Sequence, residues 1–293
     1  MGDAVIVSTA RTAIGTSRKG TLADLAASDL AVAAIGGLVE RAGIPVDDVD
    51  DLQMGESLQG GGDLARYAAV ELGMLNVPGV ALNRHCASGM AAVQGAAASI
   101  RAGMDRVVIA AGTESISTTP GSMKRILPGD EVGPWMSGSH PETPDAPAFD
   151  MSITVGWNTA QRAEVSREAM DEWAYHSHMR AVRAIDEGRF EEEIVPLEVT
   201  RRDGTTVTFS VDEHPRRETT LEKLASLKPA FRHDGQGQVT AGNSSGVTDG
   251  AAALLVASRH AAQEQGIPVQ ARLVDWAVVG VAPEIMEIGR AHV

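Results

Sequence analysis

A chain of 293 residues with 43% hydrophobic but only 3% aromatic residues must build its core from alanine, valine, leucine and isoleucine. It is long enough for two or so structural units without disulfide staples. A formal charge of −14 disfavours nucleic acid as a partner, and a single cysteine argues against an oxidising compartment. No run of about 18 apolar residues occurs, so no membrane span is expected. Met1-Gly2-Asp3 leads straight into an apolar strand, leaving no room for a signal peptide, and the cytoplasm is the expected location.

Residues 4–10 read as a short buried strand rich in β-branched side chains. Residues 22–42 read as an alanine-rich helix, closed by Gly43 with Pro45 beyond. Residues 49–54 are expected as a second strand. The loop after it holds Gly60-Gly61-Gly62, which is no phosphate loop because no Gly-Lys-Ser/Thr follows. A helix over 64–73 and a strand over 80–83 come next. Then a helix runs from Cys86 to about Ala102, with its apolar face expected on Met90, Val93, Ala97 and Ile100. Residues 107–111 form a further apolar strand stopped by Gly112. Strands alternating with helices predict an α/β fold with a mostly parallel sheet covered on both faces.

The character changes at Ser117. As far as about Ser152 the chain carries Pro120, Pro128, Pro134, Pro141, Pro144 and Pro147 among glycines and serines, a stretch expected to lack regular structure. Helices are expected over 153–163 and 166–187, the second capped by Ser166 and stopped by Gly188, with Trp157 and Trp173 packing them. Residues 193–200 and 205–211 read as a hairpin across Asp203-Gly204, and residues 248–265 as an apolar helix. The domain arrangement expected is one domain over 1–265, with its core in 1–117 and 239–265 and an insert over 118–238. The start of a second domain follows over 266–293.

Cys86 stands where an apolar extended run ends and a helical pattern begins. A thiol at a helix N-terminus meets the positive end of the macrodipole and unpaired N–H groups, both of which favour the nucleophilic thiolate. Ala87, Ser88 and Gly89 are small enough to let a bulky thioester approach. On position alone, a free cysteine serving as a small core hydrophobe stays equally open.

The string NRHCASGM around Cys86 resembles the acyl-accepting cysteine motif of the thiolases. Three further stretches resemble that family in the right order: VIVSTARTAIGTSRKGTLADL from Val5, AGTESIS from Ala111 and VTAGNSSGVTDGAAALLVAS from Val239. The resemblance implies a layered α-β-α-β-α fold with a mostly parallel sheet and an inserted loop domain that holds coenzyme A. It implies acyl transfer between a cysteine acyl-enzyme and coenzyme A, making or cleaving a 3-ketoacyl thioester. Cys86 matches the acyl-carrying position. Arg216 matches a nucleotide-contacting arginine, Phe231 an aromatic near the adenine, Ala241 and Ser245 positions along the pantetheine arm, and Met151 a methionine lining the thioester channel. No cofactor and no metal are implied, since the coenzyme A thioester is itself the substrate. Self-association as a dimer or tetramer is also implied for the parent protein. Independently of the resemblance, Arg216, Arg217, Lys223, Lys228, Arg232 and His233 gather positive charge suited to phosphates, although charge counting alone favours a solvated basic face.

The chain also departs from the family. A second cysteine in a Cys-x-Gly-Gly-Gly setting, a Gly-His-Pro histidine and an Asn-Glu-Ala segment are absent from this sequence. The last residues, Ile288 to Val293, abandon the family pattern and resemble a translated sequencing adapter, so an incomplete gene read lacking the second half is expected, inactive on its own. The segment 150–158 carries one residue more than short-chain members, which leans towards longer or unusual acyl groups. Two competing readings remain. One is a condensing ketoacyl synthase, which shares the architecture and a nucleophilic cysteine; the other is a non-catalytic subunit that binds coenzyme A or lipid.

Overall fold

The computed structural model describes residues 3–136, 138–149, 153–230 and 237–286. The chain divides into two compact units. The first is formed by the chain up to Gly121 together with Arg189–His214 and Val247–Trp276; the second by Ser122–Gly188, Pro215–Gly246 and the residues from Ala277. Of the stretch 118–238, residues 189–214 therefore group with the first unit.

In chain order the first unit begins with β1 (Ala4–Thr12), β2 (Gly15–Thr16), α1 (Ala27–Ala42), β3 (Asp51–Gly55), α2 (Leu64–Glu71), β4 (Gly79–Leu82), α3 (Ser88–Ala102) and β5 (Val107–Ser115). The second unit contributes β6 (Ser122–Arg125), β7 (Val132–Trp135), α4 (Ile153–Arg162) and α5 (Arg167–Asp186). The chain returns to the first unit with β8 (Ile194–Val195), β9 (Leu197–Thr200) and β10 (Thr206–Phe209), and to the second with α6 (Leu221–Ala225). It closes in the first with β11 (Thr248–Ser258), α7 (Arg259–Glu264) and β12 (Ala271–Arg272).

The sheet of the first unit runs in the order β12-β1-β11-β5-β3-β4, with β2 on β11 and β8 on β1. Strand β11 is antiparallel to both β1 and β5, while β5, β3 and β4 pair in parallel. Reversal on either side of β11 leaves β1 and β5 pointing the same way. All strands of this sheet except β11 and β12 thus share one direction, the mostly parallel arrangement expected from the alternation of strands and helices.

Both faces are covered, because side chains alternate along each strand. Val107, Ile109 and Ala111 of β5 join Ile35 and Leu38 of α1 and Ala65 and Ala68 of α2. Val108 and Ala110 face the other way, onto Ala92, Ala96, Ala97 and Ile100 of α3. A third cluster sets Leu22, Leu30 and Ala34 against Ile194, Val199 and Phe209, which seats the β9-β10 hairpin on α1. Each fully buried leucine or isoleucine here stabilises by about 1.5–3 kcal/mol.

Several sequence expectations need correcting. Residues 248–258 are a strand, not a helix: β11 lies between β1 and β5 and is hydrogen-bonded on both sides. Helix α1 starts at Ala27 rather than near Leu22. The backbone N–H groups of Thr16 and Thr21 instead bind the Glu213 carboxylate, holding the preceding residues in turns. Met90 is 62% exposed, so the buried face of α3 is carried by Ala92, Ala96, Ala97 and Ile100. In the proline-rich stretch β6 and β7 form an antiparallel hairpin, with the Lys124 ammonium 5.4 Å from the Trp135 ring centroid. Trp173 is exposed rather than buried between helices. The Ser166 cap is found: its hydroxyl accepts the Ala169 N–H at 3.2 Å.

Candidate active site

Cys86 sits in the turn between β4 and α3, two residues before the first helical residue, and is exposed. The turn is tightly specified. The Asn83 side-chain oxygen accepts the His85 N–H at 3.0 Å, an Asx turn. His85 adopts a left-handed backbone with φ 48°, which for a residue with a Cβ costs on the order of 1–3 kcal/mol. Its carbonyl oxygen offsets that cost by accepting the Ser88 hydroxyl at 2.6 Å, the Ser88 N–H at 3.0 Å and the Ser57 hydroxyl at 3.1 Å. The Ser88 oxygen in turn accepts the Arg84 N–H at 2.8 Å. Exposure removes the core-hydrophobe alternative, because the sulfur is not used to fill an interior.

The head of α3 lies directly on the sheet because glycines meet there. A Cβ on Gly55, the last residue of β3, would clash with the backbone of Ser88 and Gly89 in the first turn of α3. One on Gly95 of α3 would collide with the Gln53 side chain. Close helix-on-sheet contact brings the nucleophile turn to the ends of β3 and β5, where two carboxylates lie. Glu56 is 6% exposed and accepts the Leu64 N–H at 3.0 Å. Burial raises its carboxyl above the ordinary range, Asp63 and Glu114 add to that, and the Leu64 bond opposes it. Glu114 accepts the Ser57 N–H at 3.0 Å, the Leu58 N–H at 3.2 Å and the Gln59 side-chain amide.

In the second unit, a polar network built on α5 fixes the loop that carries Ala241 and Ser245. Asp171, 4% exposed, accepts Arg167 Nε at 2.8 Å and Asn243 Nδ2 at 2.9 Å. Arg167 also donates to the carbonyls of Leu224 and Leu227 at the end of α6. Asn243 completes the clasp by accepting the Thr240 N–H at 2.7 Å. Ala241 and Ser245 are exposed on this loop. Arg216 is exposed too, and its backbone N–H donates to His178 Nδ1 on the same helix α5 at 3.2 Å. Of its basic neighbours, Arg217 is spent on Asp186, at 2.6 and 2.8 Å. The Lys223 ammonium donates to the Glu218 carbonyl. Met151, Phe231, Arg232 and His233 lie outside the described residues.

The sequence singles out Cys86 and Arg216 as candidates, whereas Glu114, Ser57 and Asn83 are assigned no role there. Asn83 could have been found, since an asparagine two residues before a strained position is an Asx-turn signal. Ser57 and Glu114 carry no local sign of their contacts. No helix among the described residues is long and apolar enough to cross a membrane.

Residues 4–260 match the family model of the thiolase N-terminal domain. An acetyl-CoA acetyltransferase of Pseudomonas aeruginosa is 40% identical over 302 residues, covering 99% of this chain and 74% of its own length. One from Escherichia coli is 38% identical over 307 residues, with the same coverage of both chains. The crystal structure of the Bacillus anthracis acetyl-CoA acetyltransferase superposes with a TM-score of 0.88 at 37% identity, covering 99% of this chain and 74% of that one. Human mitochondrial 3-ketoacyl-CoA thiolase superposes at 0.86 with 32% identity, covering 98% and 74%.

Proposed function

The chain belongs to the thiolase family, whose enzymes transfer acyl groups, and we propose that Cys86 is the residue that carries the acyl group to and from coenzyme A. In the degradative direction the Cys86 thiolate attacks the 3-keto carbon of a 3-ketoacyl thioester. The bond between C2 and C3 breaks, and its electron pair leaves on C2 of acetyl-CoA, where a proton must be delivered. The coenzyme A thiol then loses its proton, attacks the acyl carbon and breaks its bond to the Cys86 sulfur. Two easier displacements replace one hard one.

The observation that carries this reading is the exposed sulfur at the head of α3, in a turn held by a strained His85. For coenzyme A we assign Arg216 to a phosphate, Ala241 and Ser245 to the pantetheine arm, Phe231 to the adenine and Met151 to the thioester channel. The exposed guanidinium of Arg216 and the Asn243-clasped loop support the first three. Self-association and a cytoplasmic location belong to the same reading, the latter supported by the solitary thiol.

Intact-mass measurement after incubation with acetyl-CoA tests it. One acetyl group, removable by coenzyme A and lost in Cys86→Ala, is the expected result. Bound acetyl-CoA without any covalent adduct would favour the accessory-subunit reading. An adduct that persists in Cys86→Ala would sink the assignment.

A further inference from the structure

Glu114 stands at the end of β5, opposite Gly250 of β11, on a strand hydrogen-bonded on both sides. Its carboxylate gathers the N–H groups of Ser57 and Leu58 and the side-chain amide of Gln59, the three residues that follow Glu56 at the end of β3. Charge-assisted bonds to one anion fix that loop against a rigid element. The loop in turn grips the nucleophile turn twice. The Ser57 hydroxyl donates to the His85 carbonyl at 3.1 Å, and the Ser57 carbonyl accepts Asn83 Nδ2 at 3.2 Å. Asn83 closes the circuit by accepting the His85 N–H at 3.0 Å. Every link lies within the first unit.

We propose that Glu114 is a positioning residue for Cys86, acting through Ser57 on the left-handed His85 peptide; this rests on Cys86 being the acyl carrier. Glu114 need not touch substrate. Its effect is mechanical: without the carboxylate, Ser57 loses its anchored backbone. His85 then keeps only the bonds made within its own turn, and the residue that follows it, Cys86, is free to swing. Misplacing a reacting atom by about 1 Å costs on the order of a hundredfold in rate.

The test uses the full chain with Glu114→Gln, which keeps the shape but turns an amide N–H towards donors, and Ser57→Ala, a smaller change that leaves the carboxylate in place. Two quantities are read: amide hydrogen exchange across residues 83–88, and single-turnover acylation by acetyl-CoA. We expect faster exchange in 83–88 with α1 and β11 unaffected. The maximal acylation rate should drop roughly tenfold or more, at a half-saturating acetyl-CoA concentration within about twofold of wild type. A purely structural lesion would lower the fraction of protein that acylates and leave the rate of the remainder unchanged. Because the two residues act in series, the double variant should be no slower than Glu114→Gln alone. Unchanged exchange in 83–88, acylation within about twofold of wild type, or losses that multiply in the double variant each overturn the proposal. Wild-type protein that never acylates is a separate failure, of the Cys86 assignment itself, visible before any variant is made, and the proposal falls with it.

Discussion

Gly55, the last residue of β3, lies so close to Gly89 in the first turn of α3 that a Cβ on Gly55 would stand 2.5 Å from the Gly89 nitrogen and 2.4 Å from the Ser88 carbonyl carbon. Both obstacles are backbone, which cannot rotate away. Gly55→Ala is therefore expected to push the head of α3 off the sheet. Overpacking of this kind costs roughly 1–3 kcal/mol. Since Cys86 precedes that head by two residues, acylation should slow as the melting temperature falls. A variant that melts like wild type and acylates at the same rate would show that the contact has no grip on the nucleophile.

In the second unit, Asp171→Asn should loosen the 238–246 loop without changing the volume of the side chain. The aspartate takes one donor on each oxygen, Arg167 Nε and Asn243 Nδ2. An asparagine can accept only one of them and points an N–H at the other. Leaving a buried donor unpaired costs about 1–3 kcal/mol, more for a charged group. Faster hydrogen exchange in 238–246 and weaker binding of coenzyme A are the expected readouts. Exchange equal to wild type would mean that the loop is held by Thr240 and Gln238 alone.

The contrast between β5 and β11 shows how much of this molecule can be read from its sequence. Strand β5 was visible because Val107, Val108 and Ile109 are β-branched and a glycine follows three residues on. Strand β11 was not, because Gly250-Ala-Ala-Ala-Leu-Leu-Val256 has no period and alanine favours helices. Its conformation is decided by neighbours far away in sequence, β1 and β5, whose ladders complete its hydrogen bonds. The apolar stripe of α3 was misplaced for a related reason: the face that meets the sheet is set by Val108, Ala110 and Val256 beneath it, which take alanines, and Met90 is left outside. The same division holds for the site. Cys86 and its helix start are local features. The hold of Glu114 on Ser57 exists only once β5 is laid beside β3, with Gly112 level with Gly55.

Glu56 makes stability depend on pH in a direction opposite to that of an ordinary paired carboxylate. Burial raises its carboxyl above the ordinary value of 4.5, so over the interval between the two values the folded chain holds a proton that the unfolded chain has released. Its contribution is fully present below the ordinary value and is lost as pH rises through the raised one. Glutamine cannot ionise, yet can still accept the Leu64 N–H. Glu56→Gln and wild type should therefore melt together near about pH 4 and diverge above it, with the variant the more stable at neutral pH. A difference in melting temperature that stays constant with pH would assign the effect to packing instead.

Arg11 joins β1 to the segment that returns from the second unit. Its guanidinium meets Asp212 with two bonds, at 2.8 and 3.0 Å, and Glu193 with a third at 2.7 Å, and lies 5.2 Å from the Phe190 ring centroid. Asp212 also accepts the Ile14 N–H at 2.7 Å, so the carboxylate pins β1's exit and the arginine at once. Side-chain exposures of 18% for Arg11 and 11% for Asp212 make this a largely buried pair. Removing one partner of such a pair costs about 3 kcal/mol, because the other charge is left without compensation. Arg11→Ala should therefore free residues 189–214 and render them the first site of cleavage by a broad-specificity protease. Arg11→Lys keeps the charge but not the fork, and should fall between the two, since a single ammonium cannot serve both carboxylates with the same geometry. Equal protection of 189–214 in all three proteins would place the attachment in the apolar contacts of Ile194, Val199 and Phe209 with α1 rather than in the ion pair.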